Sequence, residues 1–259
     1  MILGQVFNET HVLVFGLIWL RMLSFVVSSA FLGSPSVNLP VKILFSVVLS
    51  MVVFPFTLIA VQDTAQISDY VVIYAIREVA VGLLLGLLTR FFFFALSMAG
   101  ELISMAMGLG SAQVYNPFIG SSGQVIEQFF SILGMVVFLS LNGHHLFVSA
   151  LVQSFEVVPI ANMSLQVGGL AEISQKFQQI FVMMIKMSAP ILLAIFMVNI
   201  AMAIVGRAVP QLNVMVTSFP VTIMVGLVIL IVSLPLMSIE MSQLLETTSD
   251  QLFKLMRSL

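Results

Sequence analysis

The sequence predicts an all-helical integral membrane protein, and three observations carry that reading. Of 259 residues, 60% are hydrophobic and 8% are charged, mean hydropathy is +1.18, and apolar stretches of membrane-crossing length recur along the chain. Nine basic and eleven acidic side chains fall far short of the roughly sixty charges that would cover a water-soluble domain of this size. A net charge of −2 with scattered cations gives no footprint for phosphate contacts, so nucleic acid is not an expected partner. Cysteine is absent, which removes disulfides, thiolate metal sites and cysteine nucleophiles; no cofactor is expected. The first basic residue is Arg21, so a basic leader region is missing and the first apolar stretch is read as part of the mature chain.

Crossing about 30 Å of hydrocarbon takes around 20 apolar residues. Stretches of that order lie at 12–32, 41–61, 70–107, 126–160, 178–206 and 212–239. The third and fourth exceed one ordinary pass and must tilt, break or double back. Splitting the third near Arg90 gives seven spans, which gathers Lys42, Arg90, Lys176, Lys254 and Arg257 on one side and leaves Arg207 and Arg77 on the other. That bias follows the positive-inside rule for an amino terminus outside and a carboxyl terminus inside. The connections are mostly short, as at Gly33–Pro40 and Arg207–Gln211, so residues 1–259 are expected to form a single helical membrane domain. From Glu240 onward, Met241, Leu244, Leu245, Leu252 and Leu255 recur near the helical period, and 240–259 reads as an amphipathic tail ending at an interface or against a partner.

Polar residues on these helices fall into rows. Glu78, Gly82, Gly86 and Arg90 stand at successive i+4 steps, two glycines permitting close backbone approach between a carboxylate and a guanidinium. Ser97, Glu101, Ser104, Gly108 and Ser111 form a second row, and Arg21, Ser24 and Ser28 a third. An ion or proton path would place charges this way, but rows dominated by glycine and serine with few charges fit helix-packing seams better. Several seams on different helices imply many neighbours, inside the chain or in a larger complex.

The segment 106–124 reads as a loop without charge. Its glycines, among them Gly110, Gly120 and Gly123, permit unusual backbone angles, and Val114, Tyr115, Phe118 and Ile119 give it an apolar tip. Such a loop can fold back into a cavity where a charged one would be penalised; a plain surface turn is the competing reading. Gly120-Ser121-Ser122-Gly123 fits the G-x-S-G pattern of rhomboid-type intramembrane proteases with His144 and His145 downstream, yet the histidines lie only one short helix away, which suits a catalytic dyad poorly. Asn142-Gly143-His144-His145 is read instead as a break in the fourth stretch, adjacent histidines diverging by about 100° on a helix and lacking a metal-binding motif. Met183, Met184 and Met187 cluster near Lys186 as core filling, with a seal around variable cargo as the rarer use.

The run Gly206-Arg207-Ala208-Val209-Pro210-Gln211-Leu212-Asn213, followed by Ser218-Phe219-Pro220 and Gly226, resembles the most distinctive signature of the FliR family, membrane subunits of the flagellar type III export gate related to the T-type subunits of injectisomes. Arg21, Gly33, Pro40, Lys42, Gly100-Glu101, Met107-Gly108, Asn142-Gly143-His144 and Pro159-Ile160 follow in family-like order and spacing, so the resemblance spans about 15–240. One departure is Asn116-Pro117, where the family pattern leads one to expect Asp-Pro.

The resemblance implies a structural and gating subunit, without enzymatic activity, of a channel in the bacterial inner membrane and flagellar basal body through which unfolded flagellar proteins leave the cytoplasm. It implies P-type and Q-type gate subunits as partners, with the B-type and A-type export proteins beside them, in a cone of helical hairpins raised from the bilayer. The mid-chain loop, Gly110 through Gly123 centred on Val114, Tyr115, Asn116, Pro117 and Phe118, corresponds to a plug of the closed pore, and Arg207, Pro210 and Gln211 belong to a packing or partner surface. A small-solute secondary transporter is the alternative, with Glu78, Arg90, Glu101 and Lys186 as coupling residues.

Overall fold

A computed structural model describes residues 9–60, 70–109, 124–160, 169–211 and 213–258. Among these the regular structure is helical: α1 Glu9–Ser28, α2 Leu39–Ala60, α3 Val71–Met107, α4 Gln124–Ser140, α5 Gly143–Val157, α6 Gly169–Ala208 and α7 Val214–Ser258. Five stretches, within α1, α2, α3, α6 and α7, are long and apolar enough to cross a membrane, and α4 with α5 makes a sixth if the broken pair counts as one. The break falls at Leu141 and Asn142, where Asn142 takes a left-handed φ of 55° and its amide donates to the Leu139 carbonyl at 3.1 Å. Asparagine tolerates that conformation better than most residues with a side chain.

One expectation is corrected. Residues 70–107 do not divide near Arg90: α3 is a single helix of 37 residues, about 55 Å at 1.5 Å per residue. Arg90 needs no membrane surface because its Nε donates to the Ser28 carbonyl at 2.6 Å, within the protein. The seven-span count fails with that split. The carboxyl-terminal segment from Glu240 is helical and continues α7, a helix of 45 residues, with Met241, Leu244 and Leu245 buried.

The chain resolves into two compact units, one of Met1–Phe91, Gly143–Ser174 and Thr247–Leu259, the other of Phe92–Asn142 and Gln175–Glu246. In the first, α1 packs on α2 through an edge contact of Phe15 and Phe54, centroids 5.6 Å apart, and through Trp19 Nε1 donating to Ser46 Oγ at 3.0 Å. The two small-residue rows meet face to face. A methyl group on Gly82 would strike the Ser24 hydroxyl and the Arg21 carbonyl, and one on Gly86 would strike the Ser28 hydroxyl and reach 2.9 Å from the Phe25 carbonyl. Glycine at both places lets α3 lie against the backbone of α1. In the second unit, α3 and α4 run antiparallel: Phe92 and Phe93 meet Phe138, Leu96 fills the space left by Gly134, and Gly100 abuts the backbone of Glu127.

Gly82→Ala is expected to destabilise the chain by about 1–3 kcal/mol, the usual cost of overpacking, and Gly82→Leu to abolish a folded product. Thermal unfolding in detergent measures the first and yield of monodisperse protein the second.

Candidate functional site

Two constellations collect the polar residues singled out by sequence. The first is a buried junction in unit one. Arg21 and Glu78 are both fully buried, and Arg21 Nε donates to Glu78 Oε2 in an ion pair. The rest of the guanidinium binds the end of α5: Nη1 donates to the Ser154 carbonyl at 3.0 Å and to Ser154 Oγ at 3.1 Å, and Nη2 donates to the Val158 carbonyl at 2.9 Å. Phe155 lies under the cation, 4.1 Å from Cζ to its ring centroid. Beside it, Arg77 Nη1 donates to the Pro159 carbonyl at 3.1 Å.

The chemistry explains the choice of residue types. A helix ends with carbonyls that lack amide partners and with partial negative charge, and α5 stops here because Pro159 cannot continue it. The planar fork of arginine serves an ion pair, two carbonyls and an aromatic face at once, which lysine could not. Two guanidiniums and one carboxylate leave an excess positive charge, and the carboxyl end of α5 supplies compensating carbonyls. Arg77 Nε and Glu78 Oε1 remain buried without a hydrogen-bond partner. The junction therefore fixes α1, α3 and α5 to one point, with Glu78 committed to Arg21.

The second constellation surrounds the stems of the mid-chain loop in unit two. At the end of α3, Gly108 has φ 78°, its amide donates to the Met105 carbonyl at 3.0 Å, and the Leu109 amide donates to the Ser104 carbonyl at 3.1 Å. This is a Schellman cap, which glycine completes without strain. Thr222 of α7 donates its hydroxyl to the Met107 carbonyl at 3.2 Å, and one turn on, Gly226 leaves room for the Met107 side chain, whose Cγ would lie 2.8 Å from an added methyl. On the other stem, Gly100 admits the backbone of α4, with Glu127 Cα 2.7 Å from where a methyl would stand. The whole loop, with Gly110, Val114, Tyr115, Asn116, Pro117, Phe118, Gly120 and Gly123, lies outside the described residues, as does Ser122 of the protease-like motif.

The other singled-out residues are dispersed. Glu101 is exposed on α3. Arg207, Pro210 and Gln211 are exposed at the turn between α6 and α7, while Gly206 and Asn213 shape it: Gly206 accommodates Val214, and the Asn213 carbonyl accepts the amides of Val216 and Thr217, both at 3.1 Å, opening α7. Lys186 is exposed, whereas Met184 and Met187 are buried and fill the core, with Met183 half-buried. The rings of His144 and His145 meet at a tilt of 52°, centroids 4.2 Å apart. No group of three metal-binding side chains occurs among the described residues.

Sequence reasoning missed Thr222 and the Ser154–Phe155 seat of Arg21. Thr222 and Gly226 stand four apart, the same small-residue signal that marked the other rows.

Residues 12–248 match the family model described as bacterial export proteins, family 1. The chain belongs to this family. Among its curated relatives is the flagellar biosynthetic protein FliR of Aquifex aeolicus, 30% identical over 240 residues, covering 93% of this chain and 92% of that protein. FliR of Bacillus subtilis is 29% identical over 245 residues, covering 93% and 94%, and FliR of Escherichia coli 26% identical over 219 residues, covering 85% and 83%. The protein is thus a FliR-family membrane component of the flagellar export apparatus. A small-solute transporter, the alternative drawn from the charged residues, is set aside by the family match.

Removing one partner of the buried pair should cost more than removing both. Glu78→Leu or Arg21→Leu alone is expected to destabilise by about 3–5 kcal/mol, and the double replacement by less. A double-mutant cycle on detergent unfolding midpoints checks this, and additive losses would contradict the pairing.

Proposed function

We propose that this FliR-family chain walls and gates the passage through which unfolded flagellar proteins leave the cytoplasm, with residues 110–123 as its stopper. What carries the reading is a neutral, apolar-tipped loop whose two stems are held by neighbouring helices. One stem ends in the Gly108 cap held by Thr222 of α7, and the other, the start of α4, sets its Glu127 backbone against Gly100 of α3. A loop with no charge forms no salt bridges to a pore wall, so an arriving polypeptide displaces it at small cost, while its apolar tip excludes water and ions when seated. Fixed stems return it to the same place.

Assembly is the second half of the proposal. P-type and Q-type export gate subunits, with the B-type and A-type export proteins, are the partners we assign, in the bacterial inner membrane at the flagellar basal body. The turn bearing Arg207, Pro210 and Gln211 supports a contact role: its glycine and asparagine make the bend, and these three side chains stand exposed with no bond to another described side chain. The reading of this chain as a structural component rather than an enzyme rests on the same features.

Deleting 114–118 is expected to make cells leaky to small ions while flagellar protein secretion continues; membrane permeability that does not change would contradict the stopper. Arg207→Glu is expected to reduce recovery of P-type and Q-type subunits with the tagged chain severalfold without lowering its own abundance. Mass spectrometry of the detergent-extracted complex checks the second outcome, and undiminished recovery would remove the turn from the contact surface.

A further inference from the structure

We propose that the corner between α1 and α2 binds the headgroup of an anionic phospholipid whose acyl chains lie along α2. The inference is independent of the stopper reading. Lys42 Nζ donates to the Gly33 carbonyl at 3.0 Å, and Arg90 Nε donates to the Ser28 carbonyl at 2.6 Å. Both carbonyls belong to one short corner, folded on itself by the Gly33 amide donating to the Ser29 carbonyl at 3.0 Å and tied to α3 by the Ala30 amide donating to Thr89 Oγ1 at 3.3 Å. Among the described residues each cation spends one donor on the backbone and has others to offer. Neither residues 10–62 nor residues 79–100 contain a carboxylate, so α1, α2, the corner and the facing part of α3 offer these two cations no acidic partner. Among the described residues neither cation has an ion pair, and an anion from outside the chain would complete the charge.

Two features make that anion a lipid. His11–Ser28 and Leu39–Thr57 are both long and apolar enough to cross a membrane, and a corner between two such helices stands at headgroup depth when they do. The outward face of α2 is also purely apolar: Leu44, Val48, Met51, Val52 and Phe56 are exposed, while Ser46, Ser50 and Thr57 turn inward and are buried. From Leu39 to Phe56 that face is about 27 Å long at 1.5 Å per residue, the thickness of a hydrocarbon layer, with the cations at its end. On α6, by contrast, Lys186 and Asn199 are exposed among apolar residues, a pattern that hydrocarbon penalises and a protein partner can satisfy. The α2 face carries no such polar group.

Trp19 is the sole tryptophan and is held against α2 by Ser46, so it reports on lipid beside that helix. The full chain is reconstituted into phosphatidylcholine vesicles containing brominated phosphatidylglycerol or, at equal fraction, brominated phosphatidylcholine. Quenching of Trp19 is expected to show an about three- to tenfold preference for the anionic lipid, falling to none in Lys42→Gln/Arg90→Gln and persisting in Lys42→Arg/Arg90→Lys, which keeps both charges. Equal quenching by the two lipids, or an unchanged preference in the glutamine variant, overturns the proposal. If the glutamine double variant does not incorporate, Lys42→Gln alone should lower the preference, and no change there is equally fatal. In the export complex taken from cells, native mass spectrometry should find anionic phospholipid retained by the wild type and depleted when Lys42 and Arg90 are glutamine. A complex that carries no such lipid while a photoreactive residue at position 42 crosslinks a neighbouring subunit would make the corner a protein contact and end the proposal.

Discussion

The first unit depends on a full positive charge held where water does not reach. Arg21 is 0% exposed, and an isolated cation there would be too costly to retain. Every element that meets it contributes something to its neutralisation: α3 a carboxylate, α5 its terminal carbonyls, the Ser154 hydroxyl and the Phe155 ring. Because these groups come from positions as distant as Glu78 and Val158, the charge is satisfied only when all three helices have arrived. Hydrocarbon-like surfaces slide over one another with little preference, so a polar point of this kind sets registry that apolar packing alone leaves loose.

How much of this was legible in the sequence follows from the range of each interaction. The Glu78–Gly82–Gly86–Arg90 row and the Arg21–Ser24–Ser28 row were readable because i+4 spacing is local and helix geometry converts it directly into a face. That these two faces meet each other, through Gly82 on Ser24 and Gly86 on Ser28, was not. The split near Arg90 failed for the same reason: counted alone, a guanidinium belongs at a membrane surface, but the Ser28 carbonyl, 62 positions away, supplies its partner. Asn142 was correctly read as a break because a left-handed residue terminates a helix by its own backbone. Around the loop, Gly108 was legible as a flexible position, whereas its role as a cap, and the grip of Thr222 on Met107, depend on α7 packing from more than a hundred residues away.

The exposed surfaces divide by chemistry. Along α2 the outward side chains are uniformly apolar, whereas α6 mixes Lys186 and Asn199 with Leu193, Phe196, Met197 and Ile204. The signature run at the α6–α7 turn divides similarly, with Gly206 and Asn213 serving the bend and Arg207, Pro210 and Gln211 facing outward. A family signature therefore joins two kinds of constraint, one internal to the hairpin and one addressed to whatever lies beyond it.

The bareness of α6 and α7 bears on how the cell must handle the newly made chain. Their outward faces carry long apolar side chains such as Leu193, Ile204, Met224, Ile231 and Val232, each more than 60% exposed, interrupted by a lysine and an asparagine that hydrocarbon does not welcome. A copy left unassembled in the bilayer keeps those polar groups poorly solvated. Those faces are best covered as soon as they are inserted, which favours making the chain alongside its companions.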